Sequence, residues 1–296
     1  MTYSVIITAY KEQDSVVKAI KSVIQSNQHI LSNTQLIVVC GDQLTYESAL
    51  STITKLNFTN YKVLKDNAEG KAEALNLAFK NATGDIWVMT DGDMYLSENA
   101  VEKIVSKFIN AEVVGVTGNI TSIDNKELFF GYYSHVFTQA ANLYRENKQK
   151  KNLFFPLSGY LYAIRKQTGL ILSKDLRAED AYISHFVYKT GLSFVYVNDA
   201  IAYVQFPKNL NDLIKQKIRS LGGNIQNQKF YSSNKRSIGQ DLQMLTFPLS
   251  YAKSFRQFIY SLLIYPLRLY LWVVIYFRHS FNMYNSGRWE RIESSK

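Results

Sequence analysis

The sequence has little of what small secreted or low-complexity proteins are built from. Its 296 residues include a single cysteine, Cys40, with 4 prolines and 14 glycines. One cysteine excludes a disulfide scaffold and a zinc site with several cysteine ligands. The low glycine and proline content excludes a collagen-like or low-complexity chain. Charged residues make up only 20% and hydrophobic residues 47%, so the chain is able to bury a full core as one large domain or two smaller ones.

Acidic residues are scarce in the last third of the chain. Residues 1–204 hold 20 Lys and Arg against 20 Asp and Glu, whereas residues 205–296 hold 14 against 4. The net charge of +10 therefore belongs to the C-terminal part. Because an apolar run lies in the same part, the charge favours an anionic membrane surface over nucleic acid as the partner.

That apolar run, Phe258–Phe277, is interrupted only by Ser261, Pro266 and Arg268. It is long enough to span a bilayer, but Arg268 near its middle would cost about 2.5–3.5 kcal/mol of insertion free energy. A spanning helix, a helix or hairpin in the membrane interface and an ordinary buried helix all stay open, and the flanking basic residues favour the interface. No secretory signal precedes the first strand, so we expect the cytoplasmic face of the membrane.

Short β-branched runs alternate with amphipathic segments over the first 120 residues. The predicted strands are Tyr3–Thr8, Leu36–Val39, Tyr61–Leu64, Ile86–Met89 and Val113–Val116. Helical spacing predicts helices over 16–24, 72–79 and 100–109. This alternation predicts an α/β fold, with a mostly parallel sheet covered by helices on both faces. Ligands of such sheets bind beyond the carboxyl ends of the strands.

The pattern is looser after residue 120. It predicts helices over 128–144, 181–188 and 210–217, and strands over 160–164, 194–197 and 200–206.

An acidic turn, Asp91-Gly92-Asp93, directly follows the fourth predicted strand. Two carboxylates on one tight turn supply hard oxygen ligands, which Mg²⁺ or Mn²⁺ prefers when it is shared with a diphosphate. A solvated turn would use the same residue types, but the position after a strand of a parallel sheet favours a metal site.

Polar residues follow the other parallel strands as well. Thr8, Tyr10 and Glu12 come at or after the end of the first strand, and Asp42 follows the second. Lys71 opens the helix after the third strand, where a helix N-terminus favours an anion. Each alone is explained by a turn or a cap, but their convergence on one sheet edge predicts a ligand site there.

Two further groups of residues offer chemistry later in the chain. Glu179 and Asp180 begin a predicted helix, where they would either complement the helix dipole or supply a general base to an acceptor hydroxyl. Gln216 and Arg219 lie on a basic helix, where an arginine would neutralise a leaving diphosphate or face solvent or a membrane.

In this order and spacing, the motifs resemble the family 2 glycosyltransferases of the GT-A fold, the group of the cellulose and hyaluronan synthases. The resemblance covers about residues 3–225 and rests on residues 5–12, 70–76, 91–93, 158–163, 178–180 and 216–219. It implies a Rossmann-like GT-A catalytic domain over 1–225. A basic, aromatic-rich helical tail over 226–296 would follow, with its membrane-associated segment at about 258–277.

The resemblance implies a donor site at the start of the chain. Thr8, Tyr10 and Glu12 would line the nucleoside pocket, Asp42 would contact the uracil, and Lys71 would help to hold the nucleotide.

It also implies the catalytic set. Asp91 would face the ribose or the metal, Asp93 would coordinate Mn²⁺ or Mg²⁺, and Asp180 would be the catalytic base with Glu179 beside it.

The resemblance further places Gln216 and Arg219 over the diphosphate and the acceptor. The chain departs from the family at two points, because Cys40-Gly41 precedes Asp42 where an acidic pair is common, and Ser220 replaces the tryptophan that follows Gln-x-x-Arg in processive members. Processive polymerisation and single addition therefore both stay open.

The resulting expectation is an inverting, metal-dependent glycosyltransferase at the cytoplasmic membrane face. It would move a sugar from a nucleoside-diphosphate sugar, expected to be a UDP-sugar, to a hydroxyl of a glycan or lipid-linked acceptor. The alternatives are transfer to a polyprenyl phosphate and a non-catalytic, membrane-associated protein that binds sugar nucleotides.

Overall fold

The computed structural model describes residues 1–228, 246–280 and 294 of the chain. Within these residues one eight-stranded sheet has the strand order β3-β2-β1-β4-β7-β6-β8-β5. Its strands are β1 (Tyr3–Ala9), β2 (Thr34–Cys40), β3 (Tyr61–Lys65), β4 (Ile86–Asp91), β5 (Tyr95–Leu96), β6 (Val113–Ser122), β7 (Leu161–Arg165) and β8 (Ser193–Val204). The helices are α1 (Ser15–Gln25), α2 (Gln43–Lys55), α3 (Lys71–Asn81), α4 (Ala100–Val105), α5 (Phe129–Lys150), α6 (Glu179–Tyr188), α7 (Leu210–Gln228) and α8 (Phe255–Ser280), with 3₁₀ turns at Gln28–Asn33 and Ser106–Ile109.

The first four predicted strands form the parallel half of the sheet. β1 pairs in parallel with both β2 and β4, and β2 pairs in parallel with β3. Every residue of β2 is buried, because helices cover both faces of the sheet. The predicted α/β class is confirmed, and the carboxyl ends of β3, β2, β1 and β4 lie side by side at one edge.

The second half of the sheet is mixed. β7 lies between β4 and β6 and is antiparallel to both, so Val113–Val116 does not join the parallel strands directly. The two strands predicted over 194–197 and 200–206 are one strand, β8, which pairs in parallel with β6 through a register shift at Gly118/Asn119. A Cβ atom at Gly118 would lie 2.4 Å from the Ala200 carbonyl oxygen, so this close approach requires glycine.

A separate apolar cluster joins α8 to the rest of the chain. Ile264, Leu271 and Ile275 of α8 are buried in it with Leu213 of α7 and residues of α5. The Tyr132 hydroxyl of α5 also hydrogen-bonds the Ser261 hydroxyl of α8 at 2.8 Å.

The opposite face of α8 is apolar and exposed. Its exposed large side chains are Phe255, Phe258, Ile259, Leu262, Leu263, Leu269, Tyr270, Trp272, Val273, Tyr276 and Phe277. The segment Phe255–Arg278 has 24 residues and contains an 18-residue window with a mean hydropathy of 1.8, so it is long and apolar enough to cross a membrane. Because most of this face is exposed, α8 is not an ordinary buried helix. That was one of the three interpretations of the apolar run that the sequence left open.

The predicted division at residues 225 and 226 falls inside α7, which continues to Gln228, and it stays a prediction. Residues 229–245, 281–293 and 295–296 of the predicted tail lie outside the described residues.

Candidate active site

The ends of β1 and β4 meet at the centre of the parallel strand edge. Thr8 and Asp91 are register partners in these two strands, and the Thr8 hydroxyl donates to Asp91 Oδ1 at 3.2 Å. The structure therefore brings together two residues that the sequence predicted for the same site.

Lys71 links this edge to the helix that carries the predicted base. Its Nζ lies 2.5 Å from Asp91 Oδ1 and 3.6 Å from Glu179 Oε1. Burial lowers the pKa of Lys71, but the negative charges of Asp91 and Glu179 outweigh this effect and raise the pKa overall. Burial raises the pKa of Glu179 to about 7, although Lys71 acts in the opposite direction. The N-termini of α3 and α6 are thus tied to the end of β4 by one buried cation.

The Asp91-Gly92-Asp93 turn is packed against the loop after β1. The Gly92 N–H donates to the Thr8 carbonyl at 2.9 Å. A Cβ atom at Gly92 would lie 2.6 Å from Ala9 Cβ and 2.7 Å from Glu12 Oε2. Only glycine fits this space, and the turn leaves the Asp93 side chain exposed.

The donor set of this turn fits a divalent cation shared with a diphosphate. Asp91 and Asp93 supply carboxylate oxygens, the ligand type that Mg²⁺ and Mn²⁺ prefer. Residues 1–228 and 246–280 contain no group of three or more His, Cys, Asp or Glu side chains placed to hold a metal. A metal held here would therefore need oxygens from a bound diphosphate or water to complete its coordination.

The Asp180 carboxylate is held at the N-terminus of α6 by backbone N–H groups. Gly159 N–H donates to Oδ2 at 2.9 Å, and Ala181 N–H donates to Oδ1 at 2.8 Å. A Cβ atom at Gly159 would lie 3.0 Å from Oδ2, so the glycine lets the backbone approach the carboxylate. Two backbone N–H donors thus fix the orientation of the carboxylate that the sequence predicts as the general base.

The segment before β7 that contains Gly159 is itself fixed to its surroundings. Leu157 N–H donates to the Ser184 hydroxyl at 2.9 Å, and Ser158 N–H donates to the Thr117 hydroxyl at 3.0 Å. The Ser184 hydroxyl in turn donates to the Asp180 carbonyl at 2.6 Å. These bonds set the position of the Gly159 N–H relative to α6.

Tyr160 lies among the charges of the site, although the motif that contains it predicted no role for this residue. Burial raises the pKa of Tyr160, Arg219 lowers it, and Asp93 and Asp91 raise it further. The phenol is therefore within electrostatic range of both the acidic turn and α7. Only the structure reveals this, because an aromatic residue in a strand-like run is most simply a core residue.

α7 contributes the two predicted residues Gln216 and Arg219. Arg219 is half-buried and acts on Tyr160 as described, which places its charge at this site. Gln216 is buried, and its Oε1 has no hydrogen-bond partner among the described residues. The intervening Lys217 faces away from solvent, with its Nζ 3.3 Å from the centre of the Phe137 ring.

The other predicted residues, Tyr10, Glu12 and Asp42, lie at the same edge of the sheet. Asp42 has a clear structural role. Asp42 caps α2, because its Oδ1 accepts from Thr45 N–H at 3.0 Å, and its Oδ2 accepts from Lys11 N–H at 2.5 Å. Burial raises the pKa of Asp42, but these hydrogen bonds outweigh it and lower the pKa overall. Tyr10 is exposed, and Glu12 lies against Gly92. The predicted contact of Asp42 with the base stays a prediction.

A mixed sheet whose parallel strands end at an Asp-x-Asp turn is the architecture of the GT-A fold, and solved structures match it. The mannosyltransferase PcManGT from Pyrobaculum calidifontis, in complex with GDP-Man and Mn²⁺, has a TM-score of 0.61 at 15% identity, over 96% of this chain and 81% of its own. Residues 1–349 of S. aureus TarS have a TM-score of 0.52 at 14% identity, over 86% of this chain and 73% of theirs.

The matches to family models identify the sequence family of the chain. The family model of glycosyl transferase family 2 matches residues 4–168, and that of glycosyl transferase family group 2 matches residues 87–284. The chain belongs to glycosyltransferase family 2.

Curated relatives are distant and longer. The poly-beta-1,6-N-acetyl-D-glucosamine synthase of Staphylococcus aureus (strain MSSA476) is 24% identical over 275 residues, which are 90% of this chain and 63% of the synthase. Glycosyltransferase GlyA of Streptococcus pneumoniae serotype 4 is 23% identical over 210 residues, which are 67% of this chain and 30% of GlyA. The chain thus spans less than two thirds of the length of these relatives.

Proposed function

We propose that this glycosyltransferase is inverting and metal-dependent, and that it moves a sugar from a UDP-sugar to a hydroxyl of a glycan or lipid-linked acceptor. The observation that carries the proposal is the Asp180 carboxylate, fixed by the Gly159 and Ala181 N–H groups in the same site as the Asp91-Gly92-Asp93 turn. One part of the site fits an acceptor hydroxyl, and the other fits a metal-bound diphosphate.

The donor side neutralises the leaving group. Asp93 and Asp91 would hold the divalent cation, which when bound withdraws negative charge from the departing diphosphate. Lys71 and Arg219 add fixed positive charge to the same site. The PcManGT structure, which was solved with GDP-Man and Mn²⁺, supports a metal and a nucleotide sugar for this fold.

The acceptor side requires a base. Asp180 takes the proton from the acceptor hydroxyl while that oxygen forms a bond to the anomeric carbon. The bond from the anomeric carbon to the diphosphate oxygen breaks in the same displacement, and its electron pair leaves with the diphosphate. Attack from the face opposite to the leaving group inverts the configuration.

The Asp180→Asn variant tests this assignment. We expect sugar transfer to fall about 10²–10⁴-fold, while calorimetry with UDP and Mn²⁺ gives an affinity within twofold of the wild type. Asp175→Asn, at an exposed carboxylate before α6, is the control and keeps full turnover. If Asp180→Asn keeps full activity toward a hydroxyl acceptor, Asp180 is not the base. If Asp180→Asn keeps full activity toward a polyprenyl phosphate alone, that acceptor is supported instead, since an anionic acceptor needs no base.

The metal is tested at the acidic turn. Asp93→Ala should lose the Mn²⁺-dependent part of UDP binding while the variant stays folded, because the Asp93 side chain is exposed. Equal UDP affinity of wild type and variant with Mn²⁺ and with EDTA would contradict the metal site. Binding of a sugar nucleotide by the wild-type protein without transfer to any acceptor would favour the non-catalytic alternative.

We also propose that α8 lies in the interface of an anionic membrane at its cytoplasmic face. Its buried stripe is occupied by α5 and α7, which leaves the apolar face for lipid. Burial raises the pKa of Tyr133 in α5 to about 12, and the charge of Arg268 opposes this rise, so Arg268 acts on the protein side of α8. Lys253, Arg256 and Arg278 near the helix ends would meet anionic headgroups.

Flotation with vesicles of phosphatidylglycerol and phosphatidylcholine tests this surface. Leu269→Glu, at a side chain 67% exposed on α8, should reduce vesicle binding at least tenfold. Leu44→Glu, at a leucine 62% exposed on α2, is the matched control and should leave it unchanged. Release of the wild type from membranes by alkaline carbonate supports an interfacial helix, and retention supports a spanning one. Unchanged binding of Leu269→Glu would refute the proposed lipid face.

A further inference from the structure

We propose that Asp66 selects the nucleobase of the donor, by accepting a hydrogen bond from the ring N–H of uracil or guanine. The inference rests on the proposed function, because it requires a nucleoside diphosphate in the site described above. It assigns base recognition to the end of β3, whereas the sequence pointed to Asp42 after β2.

The strand order puts Asp66 at a suitable distance from the acidic turn. Asp66 directly follows β3, Asp91 ends β4, and β2 and β1 lie between these strands. Neighbouring strands are about 4.8 Å apart, so the two strand ends are separated by about 14 Å. A nucleoside diphosphate whose phosphates lie at Asp91 and Asp93 spans a comparable distance, and its base then lies over the ends of β2 and β3.

Gly41, which directly follows β2, is in close contact with both Tyr10 and Asp66. A Cβ atom at Gly41 would lie 2.7 Å from Cδ2 of the Tyr10 ring and 3.2 Å from Asp66 Oδ1. The aromatic ring and the carboxylate therefore both lie against Gly41, with no side chain between them from the residue that follows β2. Tyr10 is 40% exposed, and an exposed ring offers a stacking surface for a base.

The two carboxylates near this space differ in what they already bind. Both oxygens of Asp42 accept backbone N–H groups of Thr45 and Lys11. Asp66 Oδ1 accepts from Ala68 N–H at 3.0 Å, a short local turn that holds the carboxylate in place. Asp66 is half-buried, so an N–H donor would compensate part of the desolvation of its charge.

The chemistry of the bases gives the selectivity. Uracil and guanine each carry a ring N–H on the pairing edge, and a carboxylate accepts it. Cytosine and adenine carry a lone pair at the corresponding ring nitrogen, which faces the carboxylate unfavourably. A site built to accept an N–H rejects a ligand that lacks it, because its own polar group is then left unpaired.

Calorimetry on the full chain with Mn²⁺ tests the inference, using UDP, GDP, CDP and ADP with wild type, Asp66→Asn and Glu69→Gln. We expect wild type to bind UDP or GDP at least tenfold more tightly than CDP and ADP, and the tighter of the two identifies the base. Asp66→Asn keeps an oxygen for the Ala68 N–H and should fold normally, with an unchanged melting temperature. It should lose at least tenfold in affinity for the preferred nucleotide and less than threefold for CDP.

Glu69→Gln removes an exposed carboxylate from the same loop and should keep the wild-type preference. If wild type discriminates and Asp66→Asn discriminates equally, Asp66 does not select the base, and the proposed glycosyltransferase mechanism is untouched. If wild type binds no nucleotide, or binds all four alike, the inference is overturned at its first step. Absence of binding would also contradict the proposed donor class, whereas equal binding of all four nucleotides would not.

Discussion

Lys71 forms a bridge between two carboxylates from different elements, with its Nζ 2.5 Å from Asp91 Oδ1 and 3.6 Å from Glu179 Oε1. The lysine begins α3, Asp91 ends β4, and Glu179 begins α6. One cation thus holds together the acidic turn of the proposed donor side and the helix that carries Asp180 of the proposed acceptor side. Since the three groups are largely buried, removing one leaves the others without compensation.

Lys71→Met tests this bridge. We expect the free energy of unfolding to fall by about 3–5 kcal/mol, the cost of leaving buried charges unpaired, and UDP–Mn²⁺ binding to be lost. Urea denaturation and calorimetry measure the two effects. Lys80→Met, at an exposed lysine of the same helix, is the control. The double variant Lys71→Met/Glu179→Gln should recover part of the lost stability, and a Lys71→Met protein as stable as wild type would rule the bridge out as a structural link.

Glu179 makes stability depend on pH. Its pKa is raised from the ordinary value of 4.5 to about 7, first by burial, so the folded state binds the proton more tightly than the unfolded state. The resulting stability is fully present below pH 4.5 and is lost as pH rises through about 7. In wild type, the free energy of unfolding should therefore contain a component that falls between pH 5 and pH 8.

Glu179→Gln should remove that component. His135 and His185, whose pKa values are lowered mainly by burial, contribute the opposite slope in both proteins, so the difference between wild type and variant isolates Glu179. Urea denaturation at several pH values measures it, with Glu98→Gln at an exposed carboxyl as the control. Parallel pH profiles for wild type and Glu179→Gln would show that Glu179 does not titrate in this range.

Gly92 is expected to be essential for the geometry of the acidic turn. A Cβ atom there would collide with Ala9 Cβ at 2.6 Å and with Glu12 Oε2 at 2.7 Å, so Gly92→Ala should cost about 1–3 kcal/mol of stability and move Asp93. Calorimetry should show at least tenfold weaker UDP–Mn²⁺ binding.

Gly191→Ala is the control for strain alone. Gly191 has a φ of +77° with nothing within 4 Å of its Cβ position, so this variant loses stability without touching the turn. The prediction for Gly92 is contradicted if both variants bind UDP–Mn²⁺ like wild type.

The parallel half of the fold was predictable because β1, β2 and β4 are short β-branched runs buried on both faces. α2 was not predicted, since its buried side includes Thr45 and Thr52 beside Ala49 and Ile53, and such residues give no clear apolar period. The sequence predicted two strands where the structure has the single strand β8, because the exposed Asn198 and Asp199 interrupt its apolar pattern.

The charged residues of the candidate site could also be predicted from the sequence. Carboxylates and lysines that directly follow predicted strands have few structural explanations in combination, so Asp91, Asp93 and Lys71 stood out. Tyr160 and Asp66 did not, because an aromatic residue in a strand and an aspartate in a loop are common everywhere. Their place in the site depends on the order of strands, and only the structure gives that order.

The docking of α8 should influence catalysis through α7. Ile264 of α8 is 2% exposed and belongs to the same buried cluster as Leu213 of α7, the helix that carries Gln216 and Arg219. Ile264→Ala should cost about 2–5 kcal/mol of stability and reduce sugar transfer more than UDP–Mn²⁺ affinity, because the acidic turn lies outside this cluster.

The neighbouring residue provides the matched comparison. Leu263 is 48% exposed on the apolar face of α8, so Leu263→Ala should change stability by no more than about 0.5 kcal/mol and leave transfer to a soluble acceptor unchanged. Denaturation and initial rates of both variants, at matched Mn²⁺ and donor concentrations, measure the difference. Equal turnover of Ile264→Ala and Leu263→Ala, both folded, would show that α8 only attaches the enzyme and does not support the position of Arg219.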